Sequence, residues 1–165
     1  MLKNLSIMVL AILLAAAVIA NVVFIANFNT ARANHIKAVQ NQILWLYTEI
    51  SRAACIESND YTASPETREL RLAQTHSAVY GLSSALHGLS IHHNHRAGGA
   101  DFPIFNLRVI LENIFRNDDA PTANLQVLAD KIFSLYDSLE PHMATQDIFE
   151  LINETNRAID RHFGW

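Results

Sequence analysis

Residues 5–26 read LSIMVLAILLAAAVIANVVFIA, twenty-two residues of which twenty are hydrophobic and none is charged. At about 1.5 Å per helical residue this run reaches about 33 Å, enough to cross a hydrocarbon core of about 30 Å. Its two polar residues are Ser6, near one end, and Asn21, which can hydrogen-bond to backbone or to a partner helix. A cleaved signal peptide, with Lys3 as its basic region, is the competing reading. A cut after Ala20 leaves the apolar Val22–Ala26 on the mature chain, and a cut after Ala33 needs an apolar region well beyond the usual stretch of roughly 7–15 residues. The expectation is therefore an uncleaved signal-anchor helix over residues 1–27, spanning the lipid bilayer once. Lys3 on one side, against Arg32 and Lys37 on the other, nearly ties by the positive-inside rule. The very short N-terminal tail points to a cytoplasmic N-terminus and an extracytoplasmic C-terminal domain.

Set against this run, the rest of the chain is ordinary. Residues 28–165 are 44% hydrophobic and carry all 16 acidic but 11 of the 12 basic residues, for a net charge of -5. That is the composition of a soluble domain. It is too apolar for a disordered chain and lacks the basic excess of a nucleic-acid binder, so no nucleic acid is expected as a partner. One cysteine, Cys55, excludes an intrachain disulfide or a multi-cysteine zinc site, and a small buried thiol is the expected role.

Helical spacing runs through the whole domain. No glycine or proline precedes Pro65, so a first helix can run from Leu5 to Glu57, on the order of 80 Å, with Asn27, Asn29 and Thr30 as its weakest stretch. Ile36, Val39, Ile43, Leu46, Ile50 and Ala53 alternate at three and four, the seam of a coiled coil or the core face of a bundle helix. Leu44, Trp45 and Tyr47 fall outside the seam and call for a second buried face, which favours the bundle. Ser58–Ala63 reads as a turn, and Ser64-Pro65-Glu66 opens a second helix that ends near His93. Gly81 and Gly88, seven apart in that helix, imply close approach of a neighbour, since each costs about 1 kcal/mol against alanine. Further helices are expected over Pro103–Arg116, Pro121–Leu139 and Pro141–Phe163, with no sustained strand alternation.

Short loops between helices make neighbours antiparallel. The fold class is thus all-α: an N-terminal transmembrane helix followed by an antiparallel four-helix-type bundle over residues 28–165. The third and fourth helices would share one rod, or the third would pack across an end.

Eight histidines are the unusual count: His35, His76, His87, His92, His93, His95, His142 and His162. Imidazole binds zinc, copper, nickel and iron, so His92, His93 and His95 are the candidate metal ligands, although no HExxH-type spacing frames them. A polar helix end, where histidine meets the last carbonyls, is the simpler reading. His76 and His87 are eleven residues apart, about 16 Å along one stripe. They cannot share one ion, but each could meet a ligand between helices or bind haem axially. The more common role is a hydrogen-bonded histidine at a bundle boundary.

Asp118, Asp119 and Glu140 sit at expected helix ends, as a carboxylate site or as caps. No P-loop or GxSxG elbow is present. Asn153-Glu154-Thr155 fits the glycosylation triplet but falls in an expected helix. Arg32, Lys37 and Arg52 are dispersed, as on a solvated face. Trp45, Tyr47, Phe102, Phe105, Phe115, Phe133, Tyr136 and Phe149 fit core stripes.

The layout resembles that of membrane-tethered extracytoplasmic helical sensor domains, such as the front end of bacterial chemoreceptors. The likeness is one of layout, without a shared motif, and the second transmembrane helix of that pattern is missing. It carries no functional residues to this chain. The functional expectation is a non-enzymatic sensory, adaptor or assembly module without a cofactor. Its output would pass through a protein partner or through self-association by helix faces, the Ile36–Ala53 seam among them. The alternative is a tethered metal- or haem-binding carrier using the histidines.

Overall fold

The computed structural model describes the backbone of residues 2–58, 64–92, 101–117 and 121–164. Five helices account for nearly all of it: α1 (Leu2–Ser58), α2 (Pro65–His92), α3 (Asp101–Asn117), α4 (Pro121–Ser138) and α5 (Thr145–Phe163). Among the described residues there is no strand. The chain divides into two compact units, Met1–Asn34 and His35–Trp165.

The first unit is the N-terminal part of α1, which is long and apolar enough to cross a membrane. Every side chain from Met8 to Ala31 is exposed. The stretch Asn27–Thr30, expected to be weakest, is helical, and the Thr30 Oγ1 donates to the Ala26 carbonyl at 2.9 Å, so this hydroxyl is satisfied within the helix. Asn21 does the same, its amide donating to Ala17 O at 3.0 Å.

The second unit holds the core. Ile36, Val39, Ile43, Leu46, Ile50 and Ala53, the spaced seam of α1, are all at most 1% exposed. They bury against helices of the same chain, so the seam is a core face and not a coiled-coil interface. Facing stripes come from Leu72, Val79, Leu82, Leu86 and Leu89 of α2, Leu107, Ile110, Leu111 and Ile114 of α3, and Leu125, Leu128, Ile132 and Leu135 of α4. From α5, Ile148, Phe149, Ile152 and Ile159 join the same cluster.

Specific residue pairs give the direction of each helix. Trp45 and Gln42 lie beside Gly81 while His35 lies beside Gly88, so α1 and α2 run antiparallel. Tyr80 meets Arg108 and Glu69 meets Arg116, which makes α2 and α3 antiparallel. Tyr47 packs on Phe133 with ring centroids 5.1 Å apart, and Gln40 Nε2 donates to the Leu139 carbonyl at 2.8 Å, which makes α1 and α4 antiparallel. α3 also packs on α4 and α5, and α4 on α5.

The helix ends follow local chemistry. Ser64 caps α2: its hydroxyl accepts from the Thr67 N–H at 3.3 Å, and its carbonyl accepts from Arg68 N at 3.1 Å. The Ser64 hydroxyl and the helix backbone hold the Glu66 carboxyl below its ordinary pKa, as expected for an acid in a first turn. α5 starts later than Pro141, at Thr145, because Pro141 and His142 form a turn in which Met143 N donates to Glu140 O at 3.2 Å. Gly164 closes α5 at φ 78°, with its N–H on the Asp160 carbonyl, the left-handed cap that glycine adopts without strain.

Three expectations need correction. Leu44 and Trp45 are 38% and 40% exposed, so α1 has one buried face rather than two, with Tyr47 alone half-buried beside it. Cζ3 of Trp45 lies beside α2 where Gly81 has no side chain, so the indole is partly covered there and stays 40% exposed. Phe133, expected in the core, is 43% exposed and packs at a tilt against Tyr47. Cys55 is an exposed thiol, because it follows the buried pair Ala53 and Ala54 and turns past the seam.

Candidate functional site

Among the described residues, a polar cluster joins α2 to α3. His76 is mostly buried, and its Nε2 lies 3.8 Å from Glu112 Oε1, an ion-pair distance too long for a hydrogen bond. Arg108 sits one helical turn before Glu112, with Nε 3.5 Å from the same oxygen. The Arg108 guanidinium also donates to the Tyr80 hydroxyl at 2.6 Å, 5.7 Å from that ring's centroid. The spacing is dictated by helix geometry: 76 and 80 are one turn apart on α2, and 108 and 112 one turn apart on α3. Glu69 and Arg116, 3.6 Å apart, extend the same seam toward the start of α2.

Burial, and then the positive charge of Arg108, hold His76 below its ordinary pKa, against the opposing pull of Glu112. The cluster thus places a neutral imidazole against a carboxylate already engaged by arginine. Chemically it can take up a proton at His76 and bind α2 to α3. His87 shares the helix but is exposed, whereas His76 meets Glu112 of a second helix.

The candidate metal ligands lie elsewhere. His93 and His95 fall outside the described residues, as do Asp118 and Asp119, and of His92 only the backbone, closing α2, is described. Among the described residues no three His, Cys, Asp or Glu side chains come together as a metal site. Glu140 is exposed and paired with His142 Nε2 at 3.0 Å, across the corner before α5. His162 is exposed, edge-on to Phe163. Asn153 and Glu154 of the glycosylation triplet lie exposed on α5, within the helix that the sequence led one to expect.

Two features escape sequence reasoning. Glu49 is 7% exposed on α1: Oε1 accepts from Arg52 at 3.0 Å, and Oε2 is buried without a hydrogen-bond partner. Its neighbour Ile50 belongs to the seam, and nothing in the spacing marks position 49 as inward-facing. The second is an open groove of about 910 Å³ between α4 and α5, with Lys131 and Ser138 on one wall and Glu154, Arg157 and Arg161 on the other. Its charges are of both signs, and single-sequence periodicity cannot show a groove that forms only when two helices meet.

Comparison with known proteins finds no matching family model, no matching curated protein and no matching solved structure.

Proposed function

We propose that this chain is a single-span membrane protein whose helical domain, held outside the cytoplasm, serves as a non-enzymatic sensory, adaptor or assembly module. One observation carries the reading: α1 changes character along its length. Its side chains are uniformly exposed from Met8 to Ala31, although most are apolar, and from Ile36 its inward seam is sealed. A row of exposed Leu, Ile, Val and Phe is costly in water at about 25 cal/mol per Å², and a lipid bilayer removes that cost.

The domain itself is read as an antiparallel four-helix bundle of α1, α2, α3 and α4, closed by the α1–α2, α2–α3, α3–α4 and α1–α4 neighbours. In this arrangement α3 is a rod of its own, and α5 lies against α3 and α4. Such a unit works by presenting helix faces to a partner. Trp45, Phe133, Leu70 and Tyr80 are among the large exposed side chains it offers for that purpose.

Three measurements test the proposal. After alkaline carbonate extraction the full chain should stay with the membrane, and release into the supernatant would remove the anchor. Cys55, exposed on α1, should react with a membrane-impermeant maleimide in intact cells. Reaction only after lysis would put the domain in the cytoplasm. Site-specific photocrosslinking at Phe133 should capture one discrete protein species, and its absence in cells would count against an adaptor.

A further inference from the structure

One stripe of α5 is charged along its whole length, and its charges are sorted by sign. Asp147, Glu150, Glu154, Arg157 and Arg161 recur at spacings of three and four, so they share a face, and every one of them is exposed. The acids come first and the cations last. The helix dipole favours that order only in the end turns, where Asp147 and Arg161 sit. Glu150, Glu154 and Arg157 lie further in, so the dipole does not dictate their sequence. The polar contacts of these side chains stay on α5. Glu150 accepts from the Gln146 amide at 3.0 Å, and Arg157 and Arg161 each donate from Nε to a carbonyl one turn back. Among the described residues none of the five is held in an ion pair.

The stripe borders the groove between α4 and α5. The short corner from Ser138 to Thr145 turns α5 back along α4, so Lys131 lies toward the Arg161 end. There Lys131, Arg157 and Arg161 line the groove, with Asp160 as the opposing acid on the same wall. Leu135, Leu151 and Ala158 give the groove apolar lining. A channel with apolar lining and charged rims is the shape that receives the face of another helix.

We propose that its occupant is α5 of a second copy of this chain, laid antiparallel to the first. With the two-fold axis between residues 155 and 156, Arg157 stands opposite Glu154 of the second copy, and Arg161 opposite Glu150 of the second copy. Symmetry makes each pair occur twice. Lys131 meets the same acidic half. Parallel pairing would set Glu on Glu and Arg on Arg, so the charges select one orientation. The contact is short and its pairs are exposed, which makes it weak and salt-sensitive. It gives the assembly module proposed above its partner, and so rests on that reading, but it needs nothing from the membrane anchor.

The test uses the full chain in detergent, where two copies can approach in any orientation. Sedimentation should show a monomer–dimer equilibrium with a dissociation constant on the order of tens of micromolar, weakened about tenfold by about 0.5 M salt. E150K/E154K and R157E/R161E should each be monomeric at the same concentration. An equimolar mixture of the two should pair, and E150K/E154K/R157E/R161E should regain the dimer, with helical melting curves confirming that each variant folds. Orientation is read in a Cys55→Ser background from single cysteines placed by Gln146→Cys and Asn153→Cys, exposed positions seven apart on one face. In the antiparallel pair the two copies of position 153 are offset by about 8 Å along the helix, and those of 146 by about 28 Å. A short bismaleimide should therefore link the Asn153→Cys chain at least about fivefold more than the Gln146→Cys chain. These two variants keep every charge, so they decide the matter if a charge-reversed chain unfolds. A chain that stays monomeric to about ten times the expected dissociation constant, a dimer that survives E150K/E154K, or equal linking at both positions overturns the proposal. Such a result leaves retention by the membrane untouched, so it is distinct from failure of the anchor.

Discussion

Trp45 lies across Gly81: a Cβ added to the glycine would stand 3.2 Å from Cζ3 of the indole and would overlap the side-chain amide of Gln42. Gly88, seven residues on along α2, has a looser neighbour, with His35 Nδ1 3.8 Å from the equivalent point. One glycine admits a close neighbour, and the other leaves ordinary contact distance unused.

The two glycines should therefore respond differently to alanine. Gly88→Ala gains helix propensity with no clash and should stabilise the domain by about 0.5–1 kcal/mol. Gly81→Ala gains the same propensity but must displace Gln42 and shift Trp45, so it should be less stable than Gly88→Ala by about 1 kcal/mol. Gly81→Val should lose more. Thermal or urea melts of the three variants check the order.

The α1 seam should behave as core. Ile43→Ala removes a side chain with no exposure and should cost about 2–5 kcal/mol. Ile43→Asp and Leu46→Asp bury a charge there and should abolish cooperative unfolding. Lys37→Ala, on the exposed side of the same helix, should change stability by less than about 0.5 kcal/mol. Denaturant titration of each variant, followed by helical signal, distinguishes a core seam from an exposed one.

His76 makes the domain acid-sensitive. Its pKa is lowered in the fold, by burial first and by Arg108 second, so the folded state resists protonation that the unfolded chain accepts. Above the ordinary histidine range both states are neutral and nothing is lost. As pH falls through that range toward the lowered folded value, the unfolded state binds more protons and stability declines. His76→Gln should flatten this part of the stability–pH curve, and a slope as steep as wild type below about pH 6.5 would show that other groups set it.

Gln40 links α1 to the end of α4 through a half-buried bond to the Leu139 carbonyl. Gln40→Ala should cost about 1 kcal/mol and raise amide exchange at the corner 139–144, which hydrogen-exchange mass spectrometry reads directly.

Much of this was legible from spacing. The seam from Ile36 to Ala53, the stripes of α2 and α4, and the Ser64-Pro65 start of α2 all rest on local rules: a period of 3.6 and a capping hydroxyl. Less of the polar cluster was visible. His76 stood out as a histidine, but Arg108, Glu112 and Tyr80 became its neighbours only through the packing of α2 on α3.

By itself the sequence determined the main apolar stripe of the helices, the Ile36–Ala53 seam among them, and that the first helix carries a bilayer-length apolar run, because helical periodicity and hydrophobicity are properties of nearby residues. Only the tertiary structure decided which face meets which. Gly81 became the place where Trp45 lies, Leu44 was left exposed, and Glu49 was buried. Those outcomes depend on contacts between residues tens of positions apart. The shape of the partner helix, and not the residue's own polarity or its spacing, settles them.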